Sequence, residues 1–218
     1  MNIAIFGATG RTGIHLVDEA VSLGHHPVCL VRDESSSKLS SKKVSIISGS
    51  PLEYEDVLKT IDGCEAVFCA LNIARVSDNP WSKVVSPQNL LEQSMSNIVR
   101  VMKEKGIKRI LTVSAWGVAD SYEETNWMFK LLINKTNVGT AYRGHEQQEK
   151  ILKESDLEWT SVRPVGLTNS LKHKPTRVSI DGSKKLRMTI GRKDVAKFML
   201  SILKDEQYFK KAPSISND

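Results

Sequence analysis

The 218-residue sequence predicts a three-layer α/β fold built on one doubly wound parallel sheet, and three observations point there. Short apolar runs alternate with stretches of helical period, joined by brief polar connections, as in repeated βαβ units. One run, residues 66–71, is apolar at nearly every position, as a strand covered on both faces must be. The first run, residues 3–6, passes straight into Gly7-Ala8-Thr9-Gly10-Arg11-Thr12-Gly13 and then into a helical pattern. Strand, glycine turn and helix in that order make the arrangement Rossmann-type, with an expected strand order of 3-2-1-4-5-6 and room for an edge strand.

The elements follow in sequence. Ile14, Val17, Ala20 and Val21 give the first helix an apolar face, and Gly24 stops it. Residues 27–31 form the second strand, at the interval a βαβ unit needs. Residues 32–43 are a Ser- and Lys-rich connection without apolar period. Residues 44–47 read as strand three, closed by Ser48-Gly49-Ser50-Pro51, and residues 53–61 as a short helix ended at Asp62-Gly63. Strand four, residues 66–71, leads into a polar loop over 72–87. Residues 89–105 carry Leu91, Met95, Ile98, Val99 and Met102 along one helical face, with Gly106 as the stop. Residues 110–113 are strand five, running into Ser114-Ala115-Trp116-Gly117. Two helices are expected near 123–134 and 140–154, the second with His145, Gln148, Ile151 and Leu152 on one face. Residues 159–162 form strand six, followed by Arg163-Pro164-Val165-Gly166-Leu167. In the turn-rich stretch 168–191, Asp181-Gly182 signals a hairpin between 178–180 and 186–190. Residues 194–203 make the last helix, and 212–218 either add an edge strand or stay loose. The whole chain, 1–218, reads as one domain. Small substrate-side elements are expected from 72–88, 115–140 and 165–191, because ligands of open α/β sheets bind beyond the carboxyl ends of the strands.

Composition narrows the partners. No apolar run approaches the 18 or more residues of a membrane span, and Met1 leads directly into strand one with no leader pattern, so a cytoplasmic protein without membrane contact is expected. The net charge is +6, but Lys and Arg are dispersed. The densest clusters, Lys172-His173-Lys174 and Lys184-Lys185-Leu186-Arg187, lack interleaved aromatics, so nucleic acid is not an expected partner. Cys29, Cys64 and Cys69 lie in or beside apolar runs without metal spacing; buried reduced thiols and no metal are expected. A monomer or homodimer fits equally.

The glycine turn carries the chemistry. Free N–H groups of a first helical turn and the positive end of the helix dipole both favour an anion. Glycines are needed where the backbone turns tightly, where a diphosphate approaches and where helix meets strand. Here they stand at 7, 10 and 13, a G-x-x-G-x-x-G spacing rather than G-x-G-x-x-G. Dinucleotide binding follows. At the tip of strand two an acidic residue would accept from a ribose 2′-OH and repel a 2′-phosphate. The tip is Arg32, whose planar fork suits a phosphate, and Arg11 can reach the same group, so NADP(H) is the expected cofactor. Asp33 would reverse that choice if the strand ended one position later.

These motifs, with Leu30-Val31-Arg32-Asp33, Thr112-Val113-Ser114-Ala115 and the helix 145–154 leading to Val162-Arg163-Pro164, make the chain resemble the atypical short-chain dehydrogenase/reductase superfamily. Within it, the resemblance is to the branch holding biliverdin IXβ (flavin) reductase and the NmrA-like NADP-binding proteins. It covers nearly the whole chain and implies a six- or seven-stranded sheet that uses NADPH. It also implies Thr9 and Thr12 near the diphosphate, Lys38 as a further basic contact, and Ser50 and Pro51 flanking the adenine. Many relatives carry Asp where Ser50 stands. Ala70, Leu71 and Asn72 would line the cofactor, and Pro164, Val165, Gly166 and Leu167 would border the nicotinamide.

Standard members of the superfamily donate protons through a Ser and a Tyr-x-x-x-Lys pair. Ser114 is present, but Tyr54, Tyr122 and Tyr142 are followed four residues later by Leu58, Asn126 and Glu146. Hydride transfer itself needs no such dyad, since the cofactor carries the chemistry and the protein positions the acceptor. The expected function is therefore NADPH-dependent reduction of a planar acceptor such as a flavin, quinone or tetrapyrrole. Ser114 would orient the carboxamide or a substrate oxygen. Trp116, Trp127, Met128 and Phe129 are candidates for a stacking wall or for core. His145 is a candidate proton donor, although a surface or helix-face role is the plainer expectation. Two other readings stay open: a non-catalytic NADP(H)-sensing NmrA-like protein, and an epimerase- or dehydratase-like enzyme using a displaced lysine such as Lys130.

Overall fold

A computed structural model describes residues 1–33, 39 and 43–218. Its main sheet has eight strands: β1 (Asn2–Phe6), β2 (His26–Val31), β3 (Ser45–Ser48), β4 (Ala66–Cys69), β5 (Arg109–Val113), β6 (Glu158–Pro164), β8 (Thr176–Ser179) and β10 (Ser214–Asn217). They lie in the order β3-β2-β1-β4-β5-β6-β10-β8. All neighbours are parallel except β10 and β8. The expected 3-2-1-4-5-6 core is therefore present, extended by two strands. β7 (Gly166–Thr168) and β9 (Thr189–Gly191) form a separate parallel pair beyond the end of β6.

Alternation along the strands divides the core in two. Ile3 and Ile5 pack with Leu16, Val17 and Ala20 of α1 (Gly13–Ser22) and with Val195, Phe198 and Met199 of α6 (Arg192–Ser201). Ala4 and Phe6 face the other way, onto Val57 and Ile61 of α2 (Tyr54–Ile61), Met95 and Ile98 of α3 (Leu90–Lys105), and Leu152 of α5 (Val138–Lys153). Between β5 and α5 lie a 3-10 turn, Ala119–Tyr122, and the short helix α4 (Trp127–Lys135), whose Asn126 side chain caps the Phe129 N–H. Among the described residues no helix is long and apolar enough to cross a membrane.

Two expectations are corrected. The Asp181-Gly182 turn forms, with Asp181 Oδ1 accepting from Ser183 N at 3.0 Å and Gly182 at φ +75°, but its flanks do not pair with each other. Residues Thr176–Ser179 instead pair over four positions with the C-terminal strand, while Thr189–Gly191 joins β7. Turn chemistry is local; the partners are chosen by tertiary packing. The C-terminal strand is likewise neither loose nor at the edge. It sits between β6 and β8, with Ile215 fully buried.

Candidate functional site

The carboxyl ends of the parallel strands gather most of the sequence-predicted residues on one rim. Gly7 has φ +80°, a conformation that favours glycine, and a Cβ there would lie 2.8 Å from the Ala70 carbonyl at the end of β4. A Cβ on Gly13 would come within 1.9 Å of the Gly7 oxygen. The turn is thus folded tightly on itself, closed by Gly10 N donating to Gly7 O and Ile14 N to Gly10 O, both at 3.0 Å. Among the described residues no backbone acceptor takes the N–H groups of Arg11, Thr12 or Gly13, the start of α1. These are the open donors an anion requires.

β2 ends at Val31, so Arg32 is the first residue past the strand. With Thr9, Val31 and Asp33 it lines a cleft of about 300 Å³ beside the glycine turn. Arg11 is turned the other way: both its terminal nitrogens donate to the Asp78 carboxylate at 2.8 Å, a pair with side chains 58% and 76% exposed. That contact lowers the Asp78 pKa and raises that of Arg11. Lys38 lies outside the described residues. Ser50 and Pro51 follow β3; the Ser50 N–H donates to Asp56, and Asn97 holds the Pro51 carbonyl at 3.1 Å. Ala70 N donates to Phe6 O at 2.8 Å, which brings Ala70, Leu71 and Asn72 against the turn. Pro164 and Val165 are buried at the end of β6, with Val165 N donating to Ile215 O and Gly166 N to Met188 O, both at 3.1 Å. Leu167 continues into β7 half-buried.

Ser114 follows β5 and is 3% exposed; its hydroxyl has no protein partner. It faces the layer filled by α3 and α5, since Ile110, two alternations earlier, belongs to that core. His145 and Gln148 of α5 are buried in the same layer, and Gln148 Nε2 donates to Val113 O at 3.3 Å. His145 is thus on the helix face expected of it but not at the surface: it points inward with Gln148 and Leu152, is 2% exposed, and burial pushes its pKa down to about 4. At neutral pH it is an uncharged imidazole whose Nδ1 has no protein partner. The proposed stacking wall divides. Trp116, Phe129 and Tyr142 pack together, with ring centroids 5.4 Å and 6.1 Å apart, while Trp127 and Met128 are exposed. Lys130 is engaged by Glu123 at 2.7 Å and lies over the Tyr122 ring. Among the described residues no group of three His, Cys, Asp or Glu is placed to hold a metal. The three cysteines are buried, and burial pushes each thiol up to about 12.

A family model described as NAD(P)H-binding matches residues 7–206, most of the chain. The chain belongs to this NAD(P)H-binding family. An uncharacterized chloroplastic protein of Arabidopsis thaliana is 27% identical over 176 residues, covering 77% of this chain and 59% of that protein. Against a photosystem II assembly factor, Ycf39, of Synechocystis, 27% identical over 172 residues, the chain spans 46% of the length, so it covers about half of each of these two relatives. Among solved structures, ChuY, an anaerobillin reductase from Escherichia coli O157:H7, superposes with TM-score 0.80 at 18% identity, covering 100% of this chain and 97% of that one. A short-chain dehydrogenase/reductase of Veillonella parvula in complex with NADP gives 0.77 at 20% identity, covering 99% and 94%. Identities this low establish the shared fold.

In this NAD(P)H-binding chain several residues that sequence reasoning passed over shape the rim. Asp78 holds Arg11, and Arg192 donates to Asn169 at 2.6 Å. Arg163, fully buried at the end of β6, donates to both oxygens of the buried Glu149 at 2.9 Å and 2.6 Å and to both of Asp120 at 3.0 Å and 2.8 Å. The Asp120 carboxyl is thereby held down at about 2, and the loop after β5 is tied to β6 and α5. An arginine within the buried run 159–164 was the available signal, since a buried guanidinium needs carboxylate partners.

Proposed function

We propose that the chain is an NADPH-dependent reductase of a planar acceptor such as a flavin, quinone or tetrapyrrole. The observation that carries this reading is the tight glycine turn with open N–H groups at Arg11, Thr12 and Gly13, beside a cleft whose wall is Arg32 at the tip of β2. The turn has no room for side chains at Gly7 and Gly13 but leaves donors facing outward, which fits a diphosphate. Arg32 suits the 2′-phosphate. Arg11 can join it, because its exposed pairing with Asp78 is worth little and a phosphate competes readily. The bound cofactor supplies the hydride; the protein places the acceptor and excludes rival reactions. Absence of a Tyr-x-x-x-Lys pair favours acceptors that need no phenol donor, and ChuY, which shares the fold, is named an anaerobillin reductase. The engagement of Lys130 by Glu123 and Tyr122 speaks against its use as a displaced catalytic lysine.

Calorimetry with NADPH and NADH, followed by stopped-flow loss of NADPH absorbance on adding FMN, a quinone or a linear tetrapyrrole, tests the reading. Binding without turnover of any acceptor leaves a cofactor sensor of the NmrA-like kind; no binding removes both. Arg32→Ala is expected to raise the NADPH Kd roughly 10- to 100-fold while leaving NADH unchanged. An equal loss for both cofactors would show that Arg32 does not read the phosphate.

A further inference from the structure

A histidine–aspartate pair stands on the same rim, in the stretch that follows β6. Asp194 is the third residue of α6 and is 1% exposed, in a first helical turn whose unpaired N–H groups favour negative charge. One carboxylate oxygen accepts from Asn217 Nδ2 at 2.8 Å, and the other lies 2.6 Å from His173 Nδ1. Asn217 is fixed in turn: its Oδ1 accepts from Gly191 N at 2.9 Å, and its Nδ2 also reaches Lys174 O at 3.3 Å. The His173 side chain is 58% exposed. A chance surface pair joins two mobile groups; here a carboxylate locked by α6 and β10 grips one ring nitrogen of a solvent-facing imidazole and leaves Nε2 to a substrate. Fixing one nitrogen this way sets the tautomer and the ring orientation, as an acid–base group requires.

The pair belongs to the cofactor rim by connectivity. Ile215 is paired with Pro164, so Asn217 lies past the carboxyl end of β6. α6 packs along α1, the helix that leaves the glycine turn. Arg192, two residues before Asp194, holds Asn169, and its guanidinium feels the Arg11–Asp78 pair across the glycine turn. The charged group set against His173 is Asp194 of α6, and Lys172 and Lys174 are its chain neighbours.

We propose that His173 is the proton donor of this site, oriented by Asp194. This deepens the reductase reading and rests on it. The acceptor class is narrowed to one whose reduction puts an electron pair on nitrogen or oxygen. A hydride from the reduced nicotinamide forms a bond to an acceptor atom and brings two electrons. The acceptor's displaced π pair moves to its nitrogen or oxygen, which takes the Nε2 proton of the doubly protonated His173 ring; the ring is left neutral with its remaining proton on Nδ1 toward Asp194, and Nε2 regains a proton from solvent. Asp194 is a positioning residue, since it acts through the imidazole.

His173→Gln and Asp194→Asn test this in the full chain. Imidazole 15N resonances of wild type are expected to show the neutral ring protonated at Nδ1, and Asp194→Asn to shift it toward the Nε2–H form. This readout needs neither cofactor nor acceptor. His173→Gln, at an exposed position, is expected to keep the NADPH Kd within twofold while lowering kcat about 100-fold. Unchanged kcat in His173→Gln, with NADPH bound and wild type turning over, would overturn the role of His173 alone. Failure of wild type to bind NADPH or reduce any acceptor would overturn the reductase reading and this proposal with it.

Discussion

At the amino end of β5 each nitrogen of the buried Arg109 has a partner, whereas at its carboxyl end the buried hydroxyls of Thr112 and Ser114 have no protein partner. Arg109 donates to the carbonyls of Leu203 at 2.7 Å, Glu158 at 2.6 Å and Ile202 at 3.0 Å, and to Thr160 Oγ1 at 2.8 Å, with the Phe209 ring beneath it. At the carboxyl end, Thr112 Oγ1, Ser114 Oγ, His145 Nδ1 and Gln148 Oε1 are all buried without a protein partner, and Ser94 on α3 adds another such atom. Leaving a buried donor or acceptor unmade costs about 1–3 kcal/mol. Local rules are broken most often where a chain binds something. The amino end is therefore built for stability, and the carboxyl end keeps hydrogen-bonding capacity next to the glycine turn.

The largest expected effect is at the satisfied end. Arg109→Met removes four hydrogen bonds and the contact with the Phe209 ring at once, although Ile202 O keeps Asp205 N and Thr160 Oγ1 keeps Tyr208 O, so urea unfolding is expected to show a loss of roughly 3–5 kcal/mol. The NADPH Kd of the folded fraction is expected to stay the same. A loss under about 1 kcal/mol would mean that Arg109 is not what holds β5, β6 and the end of α6 together.

At the unsatisfied end the effect depends on pH. Burial penalises the charged ring of His145 and pushes its pKa down to about 4 in the fold, against an ordinary value of 6.5. Its neutral form is the one the fold accepts, so its contribution is complete above pH 6.5 and is lost as pH falls toward 4. With about 1.4 kcal/mol per pKa unit, wild type should lose roughly 3 kcal/mol across that window from this residue. His145→Leu should lack that component, giving a flatter acid limb in stability measured at matched pH values. Parallel curves for the two proteins would mean that His145 is charged or paired in the fold.

The same contrast separates what could be read from sequence from what could not. Periodicity, glycine stops and the apolar run at 66–71 were enough for the strand order through β6, because each is a local consequence of burial on one face or two. The glycine turn was equally legible, since positive φ at Gly7 and the closeness of Gly13 to Gly7 leave no other residue type. What escaped were pairings between distant segments: Asp78 with Arg11, Glu149 and Asp120 with Arg163, and the C-terminal strand inserted between β6 and β8. Such partners carry no local signature. The hairpin expectation failed for the same reason, since Asp181-Gly182 specifies a bend but not which strands the bend delivers. His145 was set on the right helical face, but the extent of its burial could not be read until α3 was known to pack against α5.

The smallest effects give the sharpest comparison, because they differ in sign. Thr112 and Thr160 are both fully buried strand threonines, and valine replaces threonine with almost the same shape. Thr160 Oγ1 accepts from Arg109 and donates to Tyr208 O at 2.7 Å, so Thr160→Val removes two made bonds and leaves partners unpaired, at a cost of about 1–2 kcal/mol. Thr112 Oγ1 has no protein partner, so Thr112→Val removes only a desolvated hydroxyl and should stabilise the protein by about 1 kcal/mol. Thermal melts of the two variants, run side by side, decide the matter. If Thr112→Val destabilises as much as Thr160→Val, the Thr112 hydroxyl is bound after all, by water held between β5 and α5. The carboxyl end of the strand is then as well satisfied as the amino end, and the free capacity assigned to it does not exist.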